Sequence, residues 1–337
     1  MLLTGDMGGT KTKLALFSFE NNRLKLINQA RYDSKTLSSL EEVVADYLQE
    51  NNLWQSPEIR AAWFGLAGPI SGNICCFTNL NLTVDLASLQ KQLAFIPEIG
   101  WSNDLVALGY GISLLPEQSL LLLSKQAQVR KDKNDGLESL NRAVLASGTG
   151  LGESLIIGRE VYPTEGAHTD FAPEEEEDLE LWRFLRRQFG HVSYERILSG
   201  SGLTNICRFL MSKEGNTDLT PVTLSPEEIS GKALARTCPV CISALHTFVR
   251  ILGAEAGNLA LKSFALGGVY LGGGIPPKIK AKLADGTFMA AFTDKGRFSK
   301  LLEEIPVYLI LEENTPLLGA AYLALRKLGL DDGRIYT

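Results

Sequence analysis

Two short glycine-rich segments have residue types that suit phosphate binding. The first is Gly5-Asp6-Met7-Gly8-Gly9-Thr10, and the second is Ser147-Gly148-Thr149-Gly150-Leu151-Gly152. Glycine lets backbone N–H groups approach phosphate oxygens, and a threonine hydroxyl adds another donor. Neither segment has the spacing of a P-loop or of a dinucleotide-binding loop. Either alone could be an ordinary hairpin turn, but one in each half of the chain favours a pair of loops that hold a polyphosphate.

An amide and a carboxylate lie at the end of the apolar strand predicted over Ile99–Asn103. Asn103 and Asp104 come directly before a predicted helix, Leu105–Leu115. In open α/β sheets ligands lie beyond the carboxyl ends of the strands, where Asp104 could accept a hydroxyl proton and Asn103 could bind a sugar hydroxyl. Both residue types also favour the start of a helix, so helix capping is the alternative that the local pattern favours.

A third polar group lies in the second half of the chain. Glu165 and His168 are three residues apart, and Glu195 follows in a later segment. These side chains could bind neighbouring hydroxyls or a metal ion, although a zinc site needs at least three such ligands. The Cys-x-x-Cys pair at 238–241 has no second pair to complete such a site, so a structural role is expected. Asp6 could hold Mg²⁺ through water, and no other metal is expected.

A run of three glycines, Gly272, Gly273 and Gly274, follows a predicted apolar strand. Such a run permits close backbone approach to a flat or anionic ligand. It is equally typical of a tight exit from a strand, and the local pattern does not decide between the two.

The elements that must position these residues alternate between strands and helices. Short β-like segments joined by tight turns open the chain, and a helix with a serine cap is predicted over Ser38–Asn51. The strand–glycine turn–strand design recurs at Arg142–Gly158, followed by predicted helices at 174–188, 193–212, 225–237 and 239–264. This order predicts an α/β protein with a duplicated core.

Length and composition limit the class of protein. A chain of 337 residues corresponds to about two domains. The predicted division is a smaller N-terminal domain over 1–125, a polar excursion over 126–142, and a larger domain over 143–337 whose last helix could pack back on the first. The net charge of −6 and five scattered cysteines argue against nucleic-acid binding and a disulfide framework. The absence of a leader-like or membrane-spanning pattern predicts a cytoplasmic protein with no membrane partner.

In their order along the chain, these segments resemble the bacterial glucokinase family, hexokinase relatives within the actin-like sugar-kinase superfamily. The resemblance runs from the first glycine loop to the last predicted helix. Its most specific segments are GDMGGTKTKLAL, ND at 103–104, SGTGLGESL, EGAHTDFAP at 165–173, HVSYERILSGSGL at 191–203 and LGGVYLGGGIPP. The implied fold is a duplicated actin-like (ribonuclease H-like) fold, with two α/β domains around a central cleft.

The resemblance implies an ATP-dependent kinase that phosphorylates D-glucose at its 6-hydroxyl. Asp104 is then the general base, and Asn103, Glu165, His168 and Glu195 bind the sugar. The residues implied in ATP binding are Gly5, Asp6, Met7, Gly8, Gly9, Thr10, Gly148, Thr149, Gly150, Gly272, Gly273 and Gly274. The implied cofactors are ATP and Mg²⁺, and the implied assembly is a homodimer.

The chain departs from the family pattern beside the sugar-binding residues. Thr164 and Ala167 stand where the family usually has glycine, which bears on sugar selectivity. Two alternatives therefore stay open: a kinase for another hexose or an amino sugar, and a non-catalytic sugar sensor.

Overall fold

The computed structural model describes residues 1–77, 82–124, 140–213 and 224–331. The chain divides into two compact units, of which the first joins Met1–Ser119 with Glu312–Thr337 and the second is Leu120–Leu311. The first break therefore falls before residue 125, and the C-terminal segment belongs with the N-terminal one. Most of the polar excursion predicted over 126–142 lies outside the described residues.

The described residues alternate between strands and helices as the sequence predicts. The strands are β1 (Leu2–Met7), β2 (Lys11–Glu20), β3 (Arg23–Asp33), β4 (Ala61–Leu66), β5 (Ile70–Ser71), β6 (Ile74–Phe77), β7 (Leu82–Asp85), β8 (Glu98–Asn103), β9 (Leu120–Leu122), β10 (Arg142–Ser147), β11 (Leu151–Ile157), β12 (Glu160–Thr164), β13 (Gly268–Gly272) and β14 (Val307–Ile310). The helices are α1 (Leu40–Glu50), α2 (Leu86–Gln92), α3 (Asp104–Ile112), α4 (Glu176–Phe189), α5 (Glu195–Leu198), α6 (Gly200–Lys213), α7 (Pro226–Leu234), α8 (Pro239–Ser263), α9 (Lys280–Leu283), α10 (Thr287–Thr293), α11 (Ser299–Glu303) and α12 (Thr315–Lys327).

The main sheets of the two units have the same topology. The first is ordered β3-β2-β1-β4-β8, and the second β12-β11-β10-β13-β14, with β9 added at the edge. In each, an antiparallel meander of three strands leads into parallel neighbours. Asn21 and Asn22 both adopt positive φ in the turn between β2 and β3, which the twist of a two-residue hairpin requires. The duplicated α/β core predicted from the sequence is confirmed.

Helix α12 packs against α3, β4 and β1 within the first unit. Gly319 makes the approach of α12 to α3 possible, since a Cβ there would collide with the carbonyl oxygen of Ala107. The apolar face of α12, which includes Leu317 and Leu325, is fully buried. This helix therefore covers one face of the sheet that begins at the N-terminus.

Helix α8 forms the centre of the second unit. Within the described residues it is long and apolar enough to cross a membrane, but 72% of its most apolar window is buried inside the protein. An apolar helix in a protein core passes the same test. Asp178 of α4 is buried and pairs with Arg250 of α8, which ties the start of α4 to this central helix.

The helix predicted over 193–212 is broken into α5 and α6 at Ser199. This residue is extended, with φ −108° and ψ 178°. Its hydroxyl accepts a hydrogen bond from the Gly202 amide at 3.1 Å. A Cβ at Gly202 would collide with the backbone of Ile197, so the tight corner depends on glycine. The continuous helix was therefore a wrong prediction, because apolar spacing does not reveal a one-residue break.

Candidate active site

The first glycine loop and the Asn103-Asp104 pair lie at one edge of the first sheet. Strands β1, β4 and β8 run parallel, with Met7 opposite Leu66 and Leu66 opposite Asn103. Two strand spacings of about 4.8 Å separate the end of β1 from the end of β8. The fold therefore brings together two segments that are almost a hundred residues apart in the sequence.

Asn103 caps α3, and Asp104 is the first residue of that helix. The Oδ1 atom of Asn103 and the Oδ1 atom of Asp104 both lie 2.9 Å from the Leu105 amide nitrogen. Gly65 lies beside them, and a Cβ there would come within 3.5 Å of the Asp104 Cα. Helix capping is thus present, and it fixes both side chains at the carboxyl end of β8, where ligands of α/β sheets bind.

Asp6 is half-buried at the end of β1, opposite Lys13 of β2. Burial raises the pKa of its carboxyl to about 6, and the charge of Lys13 opposes that shift. Lys13 is itself held by the carbonyl of Glu313 at 3.1 Å and by Asn314 Oδ1 at 3.3 Å. A carboxylate whose charge is incompletely compensated suits a hydrated cation.

The first loop is closed by its own backbone. The Gly8 amide donates to the Lys11 carbonyl at 2.9 Å, and the Ser34 hydroxyl donates to the Gly8 carbonyl at 2.8 Å. Ser34 is buried and also contacts the Thr12 hydroxyl at 3.0 Å. The sequence pattern gave no indication of Ser34, since its role depends on the return of β3 to this loop.

In the second unit the two other glycine segments converge. The Ile275 amide donates to the Ser147 carbonyl at 3.1 Å, and Gly273, at φ +88°, has no room for a Cβ against the Ser147 backbone. The Gly148 amide donates to the Gly150 carbonyl, and the Gly200 amide donates to the Gly148 carbonyl, both at 2.8 Å. Gly273 thus lies at a tight exit from β13, which is one of the two interpretations of Gly272–Gly274, and ligand binding by this segment stays a prediction.

Glu195 reaches the second glycine loop. Its Oε2 atom accepts a hydrogen bond from the Leu151 amide at 3.0 Å. A Cβ at Gly150 would lie only 2.6 Å from the same oxygen. Glycine at position 150 therefore leaves space for the Glu195 carboxylate, a reason that the loop motif alone does not reveal.

Glu165 precedes a single 3₁₀ turn, Gly166–His168, directly after β12, and His168 is the last residue of that turn. The carboxylate Oε2 and imidazole Nε2 atoms are 3.9 Å apart, and the side chains are 75% and 55% exposed. The Phe171 amide donates to Val192, and the Tyr194 amide donates to Thr169. This short pairing places Glu195 beside the segment that carries His168, so the three predicted sugar ligands lie in one region of the unit.

Two buried glutamates near this region were not predicted from the sequence. Glu153 of β11 and Glu255 of α8 are 2% and 0% exposed. A charged residue in an apolar strand, and another in the alanine- and glycine-rich stretch of a core helix, could have marked them. Their proximity depends on how α8 packs under the sheet, which neither local pattern contains.

A cavity of about 280 Å³ lies elsewhere in the second unit. Leu283, Met289 and Glu303 contribute to its wall, and none of the predicted site residues does. Within the described ranges no group of three or more histidine, cysteine, aspartate or glutamate side chains could hold a metal ion. A bound cation at the predicted site therefore needs ligands from the substrate or from water.

Comparison with known proteins identifies the fold and the family. The glucokinase family model matches residues 3–327. A glucokinase of Nostoc punctiforme is 37% identical over 97% of this chain and 99% of its own length, and one of Yersinia enterocolitica is 36% identical over 97% of each chain. The crystal structure of a glucokinase from an Antarctic psychrotroph, 29% identical, covers 96% of this chain and 98% of its own with a TM-score of 0.78.

More distant structures share the fold. A glucokinase from Balamuthia mandrillaris in complex with glucose has a TM-score of 0.81 at 22% identity, covering 96% of this chain and 93% of its own. The actin-like fold and the sugar-kinase class that the family resemblance implies are confirmed. With a family model and relatives that span nearly its whole length, the chain belongs to the glucokinase family of ATP-dependent, hexokinase-type sugar kinases.

Proposed function

We propose that Asp104 is the general base that accepts the proton of the glucose 6-hydroxyl as that oxygen attacks the γ-phosphate of ATP. The observation that carries this assignment is the register of β1, β4 and β8, which places Asp104 at the same sheet edge as the Asp6–Thr10 loop. A carboxylate so placed can take up a hydroxyl proton during transfer. Because little covalent chemistry is needed from the protein, positioning and charge neutralisation supply most of the catalysis.

Glucose is held by Asn103, Glu165, His168 and Glu195 in this proposal. The carboxylates accept hydrogen bonds from sugar hydroxyls, while the amide and the imidazole can donate or accept. The exposure of Glu165 and His168 leaves them accessible to a ligand. The bond from the Leu151 amide fixes the direction of the Glu195 carboxylate.

The phosphates of ATP are held by Asp6–Thr10 and Gly148–Gly150, and Gly272–Gly274 lies against the nucleoside. The support is the convergence of the last two segments at the Ser147 backbone. Asp6 would hold Mg²⁺ through water, which fits its half-buried carboxylate and the preference of Mg²⁺ for retained waters and substrate phosphates. When bound, the ion neutralises phosphate charge. A homodimer and a cytoplasmic location remain predictions from the sequence.

Release of ADP measured with glucose, mannose, fructose and N-acetylglucosamine tests the substrate. We expect the highest kcat/KM with glucose. A higher value with another sugar would assign the chain to a different hexose or amino sugar. Glucose binding without ADP release from any sugar would instead identify a sensor and overturn the kinase assignment.

A further inference from the structure

We propose that Glu153 is a positioning residue for glucose binding. As the uncharged acid, it packs against the turn that carries Glu165 and His168 and holds that turn in place. The proposal rests on the assignment of these two residues and Glu195 to the sugar. Glu153 does not reach the ligand itself. It acts through Gly166, the residue between the two proposed ligands.

The contact with Gly166 is direct. A Cβ at Gly166 would collide with Glu153 Oε2, so the carboxyl group lies against the backbone of the turn. The same turn is tied to β11 through Thr164, whose hydroxyl donates to the Glu153 carbonyl at 3.2 Å and accepts from the Gly166 amide at 3.2 Å. The backbone and the side chain of Glu153 therefore both hold the Glu165–His168 turn.

Glu255 connects the same buried site to the second sugar-binding segment. Its Oε2 atom accepts from Asn258 Nδ2 at 2.9 Å, and that nitrogen is 3.1 Å from the Tyr194 hydroxyl. The Tyr194 side chain also hydrogen-bonds to Glu255. Because Tyr194 directly precedes Glu195, the two buried glutamates support both segments that carry proposed sugar ligands.

The hydrogen-bond partners indicate which glutamate carries the proton. Glu255 has Asn258, Tyr194 and Lys262, the last at 3.4 Å from Oε1. By contrast, Glu153 Oε1 is buried with no hydrogen-bond partner. An ionised carboxylate left in that position is strongly disfavoured, whereas the neutral acid is tolerated.

The balance of burial and charge around Glu153 also favours the neutral acid. Burial, followed by the negative charge of Glu255, raises the pKa of Glu153 to about 7, and the charge of Lys262 opposes this shift. The Lys262 side chain is 57% exposed, so solvent weakens its compensation. Ionisation above neutral pH places a second negative charge beside Glu255 and displaces the turn at Gly166.

The first test measures protons taken up when glucose binds to the wild-type enzyme. Calorimetric titration at pH 7, in buffers of different ionisation enthalpy, gives this number directly. We expect net uptake of a fraction of a proton in the wild type, since glucose favours the state with neutral Glu153, and none in Glu153→Gln. Absence of uptake in the wild type, or its persistence in the variant, overturns the proposal.

The second test is steady-state kinetics between pH 6 and 8. We expect the wild-type KM for glucose to rise about threefold to tenfold, and that of Glu153→Gln to stay near the wild-type value at pH 6. Glu153→Ala should raise the KM for glucose about tenfold at pH 6 with the KM for ATP unchanged. The matched control is Glu160→Gln on the neighbouring strand, an exposed position that should retain the wild-type pH profile.

The two proposals fail in different ways. If neither the wild-type enzyme nor any of the variants consumes ATP in the presence of glucose, the proposed function is wrong. If glucose is phosphorylated normally but Glu153→Gln keeps the wild-type pH dependence of the glucose KM, only the role of Glu153 is wrong. If Glu153→Ala has the same KM for glucose as the wild type, the proposed role of Glu153 is likewise wrong, while the proposed function stands.

Discussion

At the scale of single residues, the proposed mechanism depends most directly on Asp104. We expect Asp104→Asn to lower kcat by about 10²–10⁴, because the amide cannot accept the hydroxyl proton. Binding of glucose should stay within about tenfold of wild type, since the amide keeps the size of the side chain. Comparison of kcat with a glucose Kd measured by calorimetry separates the two effects. A nearly normal kcat would rule out the role of general base.

Gly150 is expected to be critical for sugar binding as well as for phosphate binding. An added Cβ would lie 2.6 Å from Glu195 Oε2, so Gly150→Ala must displace that carboxylate. We expect the KM for glucose to rise about tenfold or more, consistent with the loss of a hydrogen bond to a charged group. Steady-state kinetics with glucose varied at saturating ATP checks this value.

Gly148→Ala is the matched control for the Gly150 variant. The Cβ added there would meet only the Gly274 nitrogen, at an ordinary distance of 3.6 Å. Its effect on the glucose KM should therefore be clearly smaller. If both substitutions raise the KM for glucose equally, the effect of Gly150→Ala does not come from displacing the Glu195 carboxylate.

Local sequence could predict the position of residues that closely follow a strand, whereas their roles in the reaction come from the family resemblance and stay predictions. Asp104 and the glycine loops belong to this group, because each follows a strand within a few residues. The proximity of Glu153 to Glu255 could not be predicted, since β11 and α8 are about a hundred residues apart and only their packing makes the two carboxyls neighbours. The finer role of Gly150 was missed for the same reason.

At the scale of elements, α3 and α12 pack closely against each other. We expect Gly319→Ala to lower the free energy of unfolding by about 1–3 kcal/mol or more, as overpacking does, because the methyl group collides with the Ala107 carbonyl oxygen. Thermal or urea unfolding measures this change.

Gly231→Ala provides the opposite control. Gly231 lies in α7 with nothing within 4 Å of an added Cβ. The same substitution should therefore raise stability by about 0.5–1 kcal/mol, because alanine loses less conformational freedom in a helix. A loss of stability at both positions would contradict the steric explanation for Gly319.

Helix positions could be predicted better than helix breaks. The apolar spacing of α1 located its buried face, although the capping residue is Ser39 and not Ser38. The corner at Ser199 depends on one extended residue between two helical segments of ordinary composition. Apolar periodicity averages over several residues and does not resolve such a change.

At the scale of the whole molecule, the raised pKa of Glu153 predicts how stability changes with pH. Its folded-state value of about 7 exceeds the ordinary 4.5, so the unfolded chain ionises first as pH rises. The free energy of unfolding should then fall between about pH 4.5 and 7, by on the order of 3 kcal/mol from this group. Asp6, raised to about 6, acts in the same direction.

Urea unfolding of wild type and Glu153→Gln across this interval tests the prediction. The stability of the variant relative to the wild type should increase from pH 4.5 to 7 and level off above it. Glu160→Gln should show no such change. Parallel curves of unfolding free energy against pH for wild type and Glu153→Gln would contradict a raised pKa of Glu153.

The duplicated core could be predicted because the strand–glycine turn–strand pattern occurs twice. Glu312–Thr337 belongs to the first unit. The sequence indicated only that the last helix could pack back on the N-terminal domain, since the order of elements along the chain does not show which unit a helix joins. That assignment depends on the match between α12 and the surface formed by α3, β4 and β1.

The path of the chain through the first unit also sets an order for folding during synthesis. Residues 120–311 form a contiguous unit, whereas Leu2, Phe17 and Ala61 are covered by α12, which the ribosome makes only after that unit. The second unit can therefore complete its core while the N-terminal sheet still exposes an apolar face. The sheet of the first unit is thus protected only after the second unit has been made, and a nascent chain that stalls before α12 presents a surface for chaperones.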